Sequence, residues 1–263
     1  MSSVDIGALA DQLFQAERQC KAIPPLTGQD PSLTIDDAYQ IQLANVKRVL
    51  DLGHVISGKK IGLTSPGIQK QMGVNEPDYG HLFAAMDNSA GDDVGQINTA
   101  ALIQPKIEGE IAFVLKADLT GGKVSPKDVI NATDYVAAAF EIVDSRIADW
   151  KIKLIDTVSD NASSGRYVIG NKRLKLSEVD LPRVAMKLFK GGEPAGEGTG
   201  EAVLGDPCIS VAWLANRLWS YGVSLKAGEV ILSGAFSAAP LARKGDVFTA
   251  EFTSFGKVRA EFI

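Results

Sequence analysis

The chain of 263 residues is long enough to bury a substantial core, and its 45% hydrophobic and 22% charged content is that of an ordinary soluble globular protein. A net charge of −5 argues against nucleic acid or an anionic membrane as partner. No uncharged apolar run approaches the roughly 20 residues a membrane span needs, and the first residues hold charges within their apolar pattern, so a cytoplasmic protein without a signal peptide is expected.

In chain order the sequence begins helical. Ile6, Leu9, Leu13 and Ala16 share one helical stripe, with Ser2 and Asp5 as candidate caps. Pro24, Pro25, Gly28 and Pro31 mark 21–33 as a loop. A second helix follows, with Thr34 as N-cap, Asp37 three residues on and Gly53 as its stop. Ile35, Tyr39, Leu43, Val46 and Leu50 form its apolar stripe. Residues 1–54 are expected to make a small helical cap and 55–263 a β-rich catalytic domain.

Beyond residue 55 the chain turns to short apolar runs broken by glycine: VISGKKIGLTS, KIEGEIAFVL, YVAAAFEIVDS, GRYVIG and GEVILSGAF. Helices are predicted at Pro126–Ala132, with Ser125 as N-cap and Pro126 at the first helical position, and at 209–221. The end reads as a hairpin, in which Phe248, Ala250 and Phe252 alternate on one strand and Val258, Ala260 and Phe262 on the other. Many strands without a regular βαβ rhythm predict an α+β fold with a mostly β core.

The strand 106–115, KIEGEIAFVL, concentrates the chemistry. Glu108 and Glu110, two apart, point to one face of a strand, where like charges in apolar surroundings need a compensating cation. A hard divalent ion such as Mg²⁺ answers that need; a solvated face with two glutamates answers it as well. Gly109 between them removes a side chain from the opposite face, as happens where something packs closely on the backbone. In GKKIGLTS, residues 58–65, adjacent Lys59 and Lys60 face opposite sides of an extended chain. One of them can point inward to orient an anionic substrate or move protons, or both can be surface lysines. EPDYG, residues 76–80, reads as a turn, with Asp78 either a base or an Asx-turn residue. FEIVDS places Glu141 in apolar company, on a strand or an alanine-rich helix. DTVSDNASSG, residues 156–165, reads as a polar loop, and glycine-rich GEGTGEAVLG, residues 196–205, as a mobile loop over a site.

Other chemistries are set aside. His54 and His81 are the only histidines and are not spaced as ligands, and Cys20 and Cys208 are expected to be free thiols. There is no G-x-S-x-G elbow and no Walker loop, and no apolar strand leads into the glycine-rich stretch as a dinucleotide fold requires.

Taken together, GKKIGLTS, EPDYGHLF, QPKIEGEIAFVL, FEIVDSRIADWKIKLIDTVSDNASSG and GEAVLGDP resemble the 2-hydroxypenta-2,4-dienoate (2-keto-4-pentenoate) hydratases of bacterial meta-cleavage pathways, within the fumarylacetoacetate hydrolase superfamily. The resemblance implies a mixed β-roll with flanking helices, usually a homo-oligomer, with Mg²⁺ or Mn²⁺ as cofactor. It maps metal-binding glutamates onto Glu108, Glu110 and Glu141, an active-site lysine that also binds substrate onto Lys60, a catalytic aspartate onto Asp78 and a position near the substrate onto Ser163. Asp206 departs from the histidine often found at its position. The implied reaction is hydration of a 2-hydroxydienoate to 4-hydroxy-2-oxopentanoate, with neighbouring pathway enzymes as candidate partners. The sister 4-oxalocrotonate decarboxylase activity is the first alternative, and an acylpyruvate-type C–C hydrolase or a non-catalytic partner the more remote ones.

Overall fold

Three helices precede the first strand in the computed structural model, which describes residues 4–65, 67, 69–70, 73–91 and 93–263. Asp5 caps α1 (Ile6–Arg18) by accepting from the Ala8 amide, while Ser2 lies outside the described residues. The predicted loop contains one helical turn, α2 (Leu26–Gln29). Thr34 and Asp37 form a reciprocal capping box at the start of α3 (Ile35–Asp51), and Gly53, at φ 89°, ends it in the left-handed conformation that glycine adopts freely. The stripe of α3 holds at Tyr39 and Val46 but not at Leu50, which is 40% exposed because the last turn is left uncovered. Ile41 is buried against α1, and Tyr39 enters the main core.

Eleven strands follow among the described residues: β1 (Ile56–Gly62), β2 (Asp78–Phe83), β3 (Val94–Ile97), β4 (Lys106–Leu115), β5 (Thr133–Val143), β6 (Ser164–Ile169), β7 (Ala185–Lys190), β8 (Glu193–Thr199), β9 (Val230–Leu232), β10 (Val247–Phe252) and β11 (Gly256–Phe262). Helices α4 (Pro126–Ala132), α5 (Leu154–Ser159) and α6 (Pro207–Trp219) lie between them, α4 with the predicted Ser125 cap and α6 capped by the Asp206 side chain. The strands form a six-stranded sheet, β2-β1-β9-β4-β5-β6, and a five-stranded sheet, β3-β11-β10-β7-β8. The fold is therefore α+β with a mixed β core, as the sequence predicts.

Strand β4 spans the predicted range and runs antiparallel to both β5 and β9. Its Ile107, Ile111 and Phe113 face join Phe140 and Ile142 of β5 and the inward residues of the β10–β11 hairpin in one core cluster. Gly109 lies on that face, where a Cβ would come within 3.2 Å of the Met186 side chain. The opposite face of β4 carries Glu108 and Glu110, followed by Ala112, which packs in a second apolar cluster.

Three segments differ from expectation. Asp78 opens a buried strand, not a turn, because DYGHLF pairs along its length with β1. Residues 156–159 of the polar stretch are helical, the end of α5. The glycine-rich stretch begins in β8, paired with β7. Its glycines answer to close packing, since a Cβ on Gly198 would fall 1.9 Å from the Phe236 carbonyl oxygen.

Candidate metal and active site

Antiparallel register builds the centre of the site. Glu108 of β4 stands directly opposite Glu141 of β5, so the two carboxylates share a face, and Glu110 follows two residues along β4. One carboxylate oxygen from each lies within 4.8 Å of the others. Glu110 and Glu141 are fully buried, and Glu108 is partly exposed at the open side. Burial, and then the neighbouring carboxylates, hold Glu110 well above the usual carboxylate range. Burial likewise raises Glu108 and pushes Glu141 up to about 8, against the pull of Lys60. Glu110 Oε2 accepts from the Gly234 amide at 2.8 Å, while Glu110 Oε1 and Glu141 Oε1 have no hydrogen-bond partner among the described residues.

Lys60 of β1 enters from the side. Its Nζ lies 3.2 Å from Glu141 Oε2, and the side chain is 3% exposed. Burial lowers its pKa, but Glu141, Asp78, Glu108 and Glu110 more than reverse this, leaving an ammonium held above its ordinary range. Asp78, at the start of β2, sits opposite Gly62 and accepts from Thr157 Oγ1 at 2.7 Å. Gly62 is required here: a Cβ would lie 2.3 Å from Asp78 Oδ1 and 3.1 Å from Lys60 Nζ. Burial raises Asp78 above the usual carboxylate range despite Lys60. Four carboxyl groups thus surround one ammonium in a nearly solvent-free space.

Ser163 ends a turn, Asn161–Ser163, whose three residues are all left-handed, at φ 53°, 49° and 55°. Such backbone costs an L-residue about 1–2 kcal/mol each. The turn packs on β2 at Gly80, where a Cβ would meet the Asn161 carbonyl oxygen at 2.3 Å. Ser163 is 2% exposed, and its Oγ has no partner among the described residues.

The structure therefore brings Glu108, Glu110, Glu141, Lys60 and Asp78 together, with Ser163 on the turn that closes on β2. Lys59 is not a surface residue. It is 3% exposed and pairs with Glu229 at 2.5 Å on the opposite face of β1. Thr157 and Gly62 also belong to the site, beyond the residues that the sequence predicts. The only sequence signals for them are a hydroxyl inside DTVSDNASSG and a glycine two residues after Lys60. Asp206 serves as a helix cap.

The sequence model of fumarylacetoacetate (FAA) hydrolase C-terminal regions matches residues 59–263. A 2-hydroxyhexa-2,4-dienoate hydratase of Comamonas testosteroni is 46% identical over 251 residues, 95% of each chain. A 2-keto-4-pentenoate hydratase of Paraburkholderia xenovorans is 46% identical over 96% of this chain and 93% of its own. Among solved structures, 4-oxalocrotonate decarboxylase from Pseudomonas putida G7, complexed with magnesium and adipate, superposes with a TM-score of 0.94 at 39% identity, over 100% of this chain and 99% of that one.

Proposed function

The chain belongs to the fumarylacetoacetate hydrolase family, and on that premise we propose that it is a divalent-metal-dependent hydro-lyase converting 2-hydroxypenta-2,4-dienoate to 4-hydroxy-2-oxopentanoate. The observation that carries the reading is the convergence of Glu108, Glu110 and Glu141 in a chain 46% identical to hydratases over almost its whole length.

The residues fit a metal. Two buried carboxylate oxygens lack partners, negative charge exceeds positive in a nearly dry space, and the donors are all oxygen. Hard cations such as Mg²⁺ and Mn²⁺ take such donors. Glu108, Glu110 and Glu141 would hold the ion, which when bound supplies Lewis-acid polarisation of the substrate's carboxylate and 2-oxygen.

The remaining roles fall to side chains around that cluster. Lys60, kept charged by its carboxylates, pairs with the anionic end of the substrate and fixes its orientation. Asp78 is pushed upward by burial toward the range where proton transfer is efficient, and Thr157 holds it in place. It exchanges the protons of the reaction, in which C4 gains the hydroxyl of water, C5 and C3 each gain hydrogen and the 2-hydroxyl becomes a ketone. Ser163 offers its free hydroxyl to the substrate. Residues 1–54 act as a helical cap on the catalytic 55–263. A cytoplasmic homo-oligomer belongs to the same reading; no helix among the described residues is long and apolar enough to cross a membrane.

The test is direct: purified protein, Mg²⁺ and dienol generated in place, followed by loss of its ultraviolet absorbance. No acceleration over the protein-free control would reject the hydratase reading. Decarboxylation of 4-oxalocrotonate is the second reading, favoured by the 0.94 superposition on a decarboxylase.

A further inference from the structure

Three consecutive left-handed residues need something to hold them, and one side chain lies across the turn. Arg146, 5% exposed, donates from Nη1 to the Ser164 carbonyl at 2.8 Å and from Nη2 to the Asp160 carbonyl. Those carbonyls belong to the residues immediately before and after Asn161–Ser163. The guanidinium also bonds the Asp160 carboxylate through Nε at 2.5 Å, and the Arg146 amide donates to Asp160 Oδ2 at 2.9 Å. A planar fork with fixed donors can join two carbonyls and a carboxylate at once; an ammonium cannot reproduce that geometry.

The base of this clamp is itself fixed to the metal strand's approach. Asp144 accepts from the Ile103 and Gln104 amides at 2.9 and 2.7 Å, just ahead of β4. The Gln104 side chain donates to the Ser145 carbonyl at 2.9 Å, and the Asp144 amide donates to the Ser163 carbonyl at 2.7 Å. On its other side the turn is held by Asn161, whose side-chain amide exchanges two hydrogen bonds with the His81 backbone of β2. The chain of contacts runs from the loop before β4 through Arg146 to the turn that ends at Ser163.

We infer that Arg146 is a positioning residue, which through the carbonyls of Asp160 and Ser164 holds Asn161–Ser163 left-handed so that the Ser163 hydroxyl meets the substrate. The inference rests on the substrate contact proposed for Ser163. It makes Arg146→Lys non-conservative although the charge is kept.

A double-mutant cycle with an independent structural readout decides it. Arg146→Lys and Ser163→Ala should each lower kcat/KM on 2-hydroxypenta-2,4-dienoate by about tenfold or more, a loss of about 1.4 kcal/mol. In the Ser163→Ala background, Arg146→Lys should add less than about threefold. Mg²⁺ affinity by calorimetry should change less than about twofold. Amide hydrogen exchange at 161–164 should quicken about tenfold in Arg146→Lys, with β4 unchanged. Asp160→Asn should act in the same direction and carries the test if Arg146→Lys does not fold. Full independent effects of the two substitutions, an inert Ser163→Ala, or unchanged exchange at 161–164 would each overturn the clamp. A wild type inactive on the dienoate would count against the hydratase reading instead, and the exchange measurement would still judge Arg146.

Discussion

Lys59 and Lys60 are consecutive on β1, both nearly sealed from solvent, and they meet carboxylates on opposite faces of the sheet, Glu229 and Glu141. Truncating them should have different consequences. Lys60→Ala should lower kcat by about 10²-fold or more even at temperatures where it is fully folded, although it too leaves a buried carboxylate, Glu141, without its partner. Lys59→Ala removes one partner of a buried pair and should destabilise by about 3–5 kcal/mol, because the Glu229 carboxylate is left uncompensated. Below the unfolding temperature it should leave kcat much closer to wild type. Turnover and urea unfolding on both variants check this, and a large kcat loss at Lys59 matched by none at Lys60 would reverse the assignment.

The crowded carboxylates predict a protein that is stabilised by metal and strained without it. Excess chelator should abolish activity, and Mg²⁺ or Mn²⁺ should restore it. Metal at about a hundred times its dissociation constant should stabilise the fold by about 2.7 kcal/mol. Glu110 is raised by burial and by Glu141 and Glu108. Glu110→Gln should therefore stabilise the metal-free protein, because it removes a carboxylate that burial and its neighbours disfavour, while erasing the stabilisation by metal. Thermal unfolding with and without Mg²⁺ measures both. Unaltered metal stabilisation in Glu110→Gln would remove it from the ligand set.

Much of this site is legible in the sequence, and what is not has a non-local cause. Glu108 and Glu110 are readable because a period of two puts them on one face of a strand with clear apolar neighbours. Glu141 is readable as a carboxylate in apolar company, but its place opposite Glu108 depends on a strand register that sequence periodicity alone does not fix. The burial of Lys59 depends on Glu229, 170 residues away, and no local pattern announces it. Strand β8 escapes because its glycines, chosen for close approach at Gly198, leave no apolar alternation. Arg146 reads as an ordinary charged residue until the turn it spans is folded.

His81 should make the fold acid-sensitive. Gln42 commits its amide nitrogen to the Tyr79 and Val158 carbonyls at 2.9 and 2.7 Å, so its oxygen accepts from His81 Nδ1 at 3.0 Å. Burial, and then Lys59, push His81 down to about 3. In the unfolded chain the imidazole titrates near about 6.5. Below that pH the unfolded state binds a proton that the folded state refuses, so stability falls as pH falls, from about 6.5 toward about 3. Between pH 7 and 5.5 this one group should remove about 1 kcal/mol. Urea unfolding at the two pH values should show His81→Asn, which keeps a donor toward Gln42, losing correspondingly less. Identical pH dependence in both proteins would clear His81 of the effect.

The last prediction separates hydration from decarboxylation, since a solved decarboxylase shares this fold. The run 145–165, SRIADWKIKLIDTVSDNASSG, supplies Thr157, which bonds Asp78, and Ser163, on the turn that packs against β2 with Arg146 across it. Hydration needs a positioned water at C4 inside a site closed to bulk solvent. On the proposed reading, a buried Ser163 hydroxyl with no partner among the described residues and an Asp78 carboxyl raised by burial would provide that polarity without opening the site. Decarboxylation of 4-oxalocrotonate instead requires a second, distal carboxylate to be accepted and then lost as CO₂. Rapid consumption of 2-hydroxypenta-2,4-dienoate is therefore expected, with solvent ¹⁸O appearing at C4 of 4-hydroxy-2-oxopentanoate and little CO₂ from 4-oxalocrotonate. If CO₂ release proves the faster reaction by about tenfold, a difference of about 1.4 kcal/mol in transition-state binding, the substrate assignment passes to the decarboxylase, while the proposal that Glu108, Glu110 and Glu141 hold a metal is unaffected.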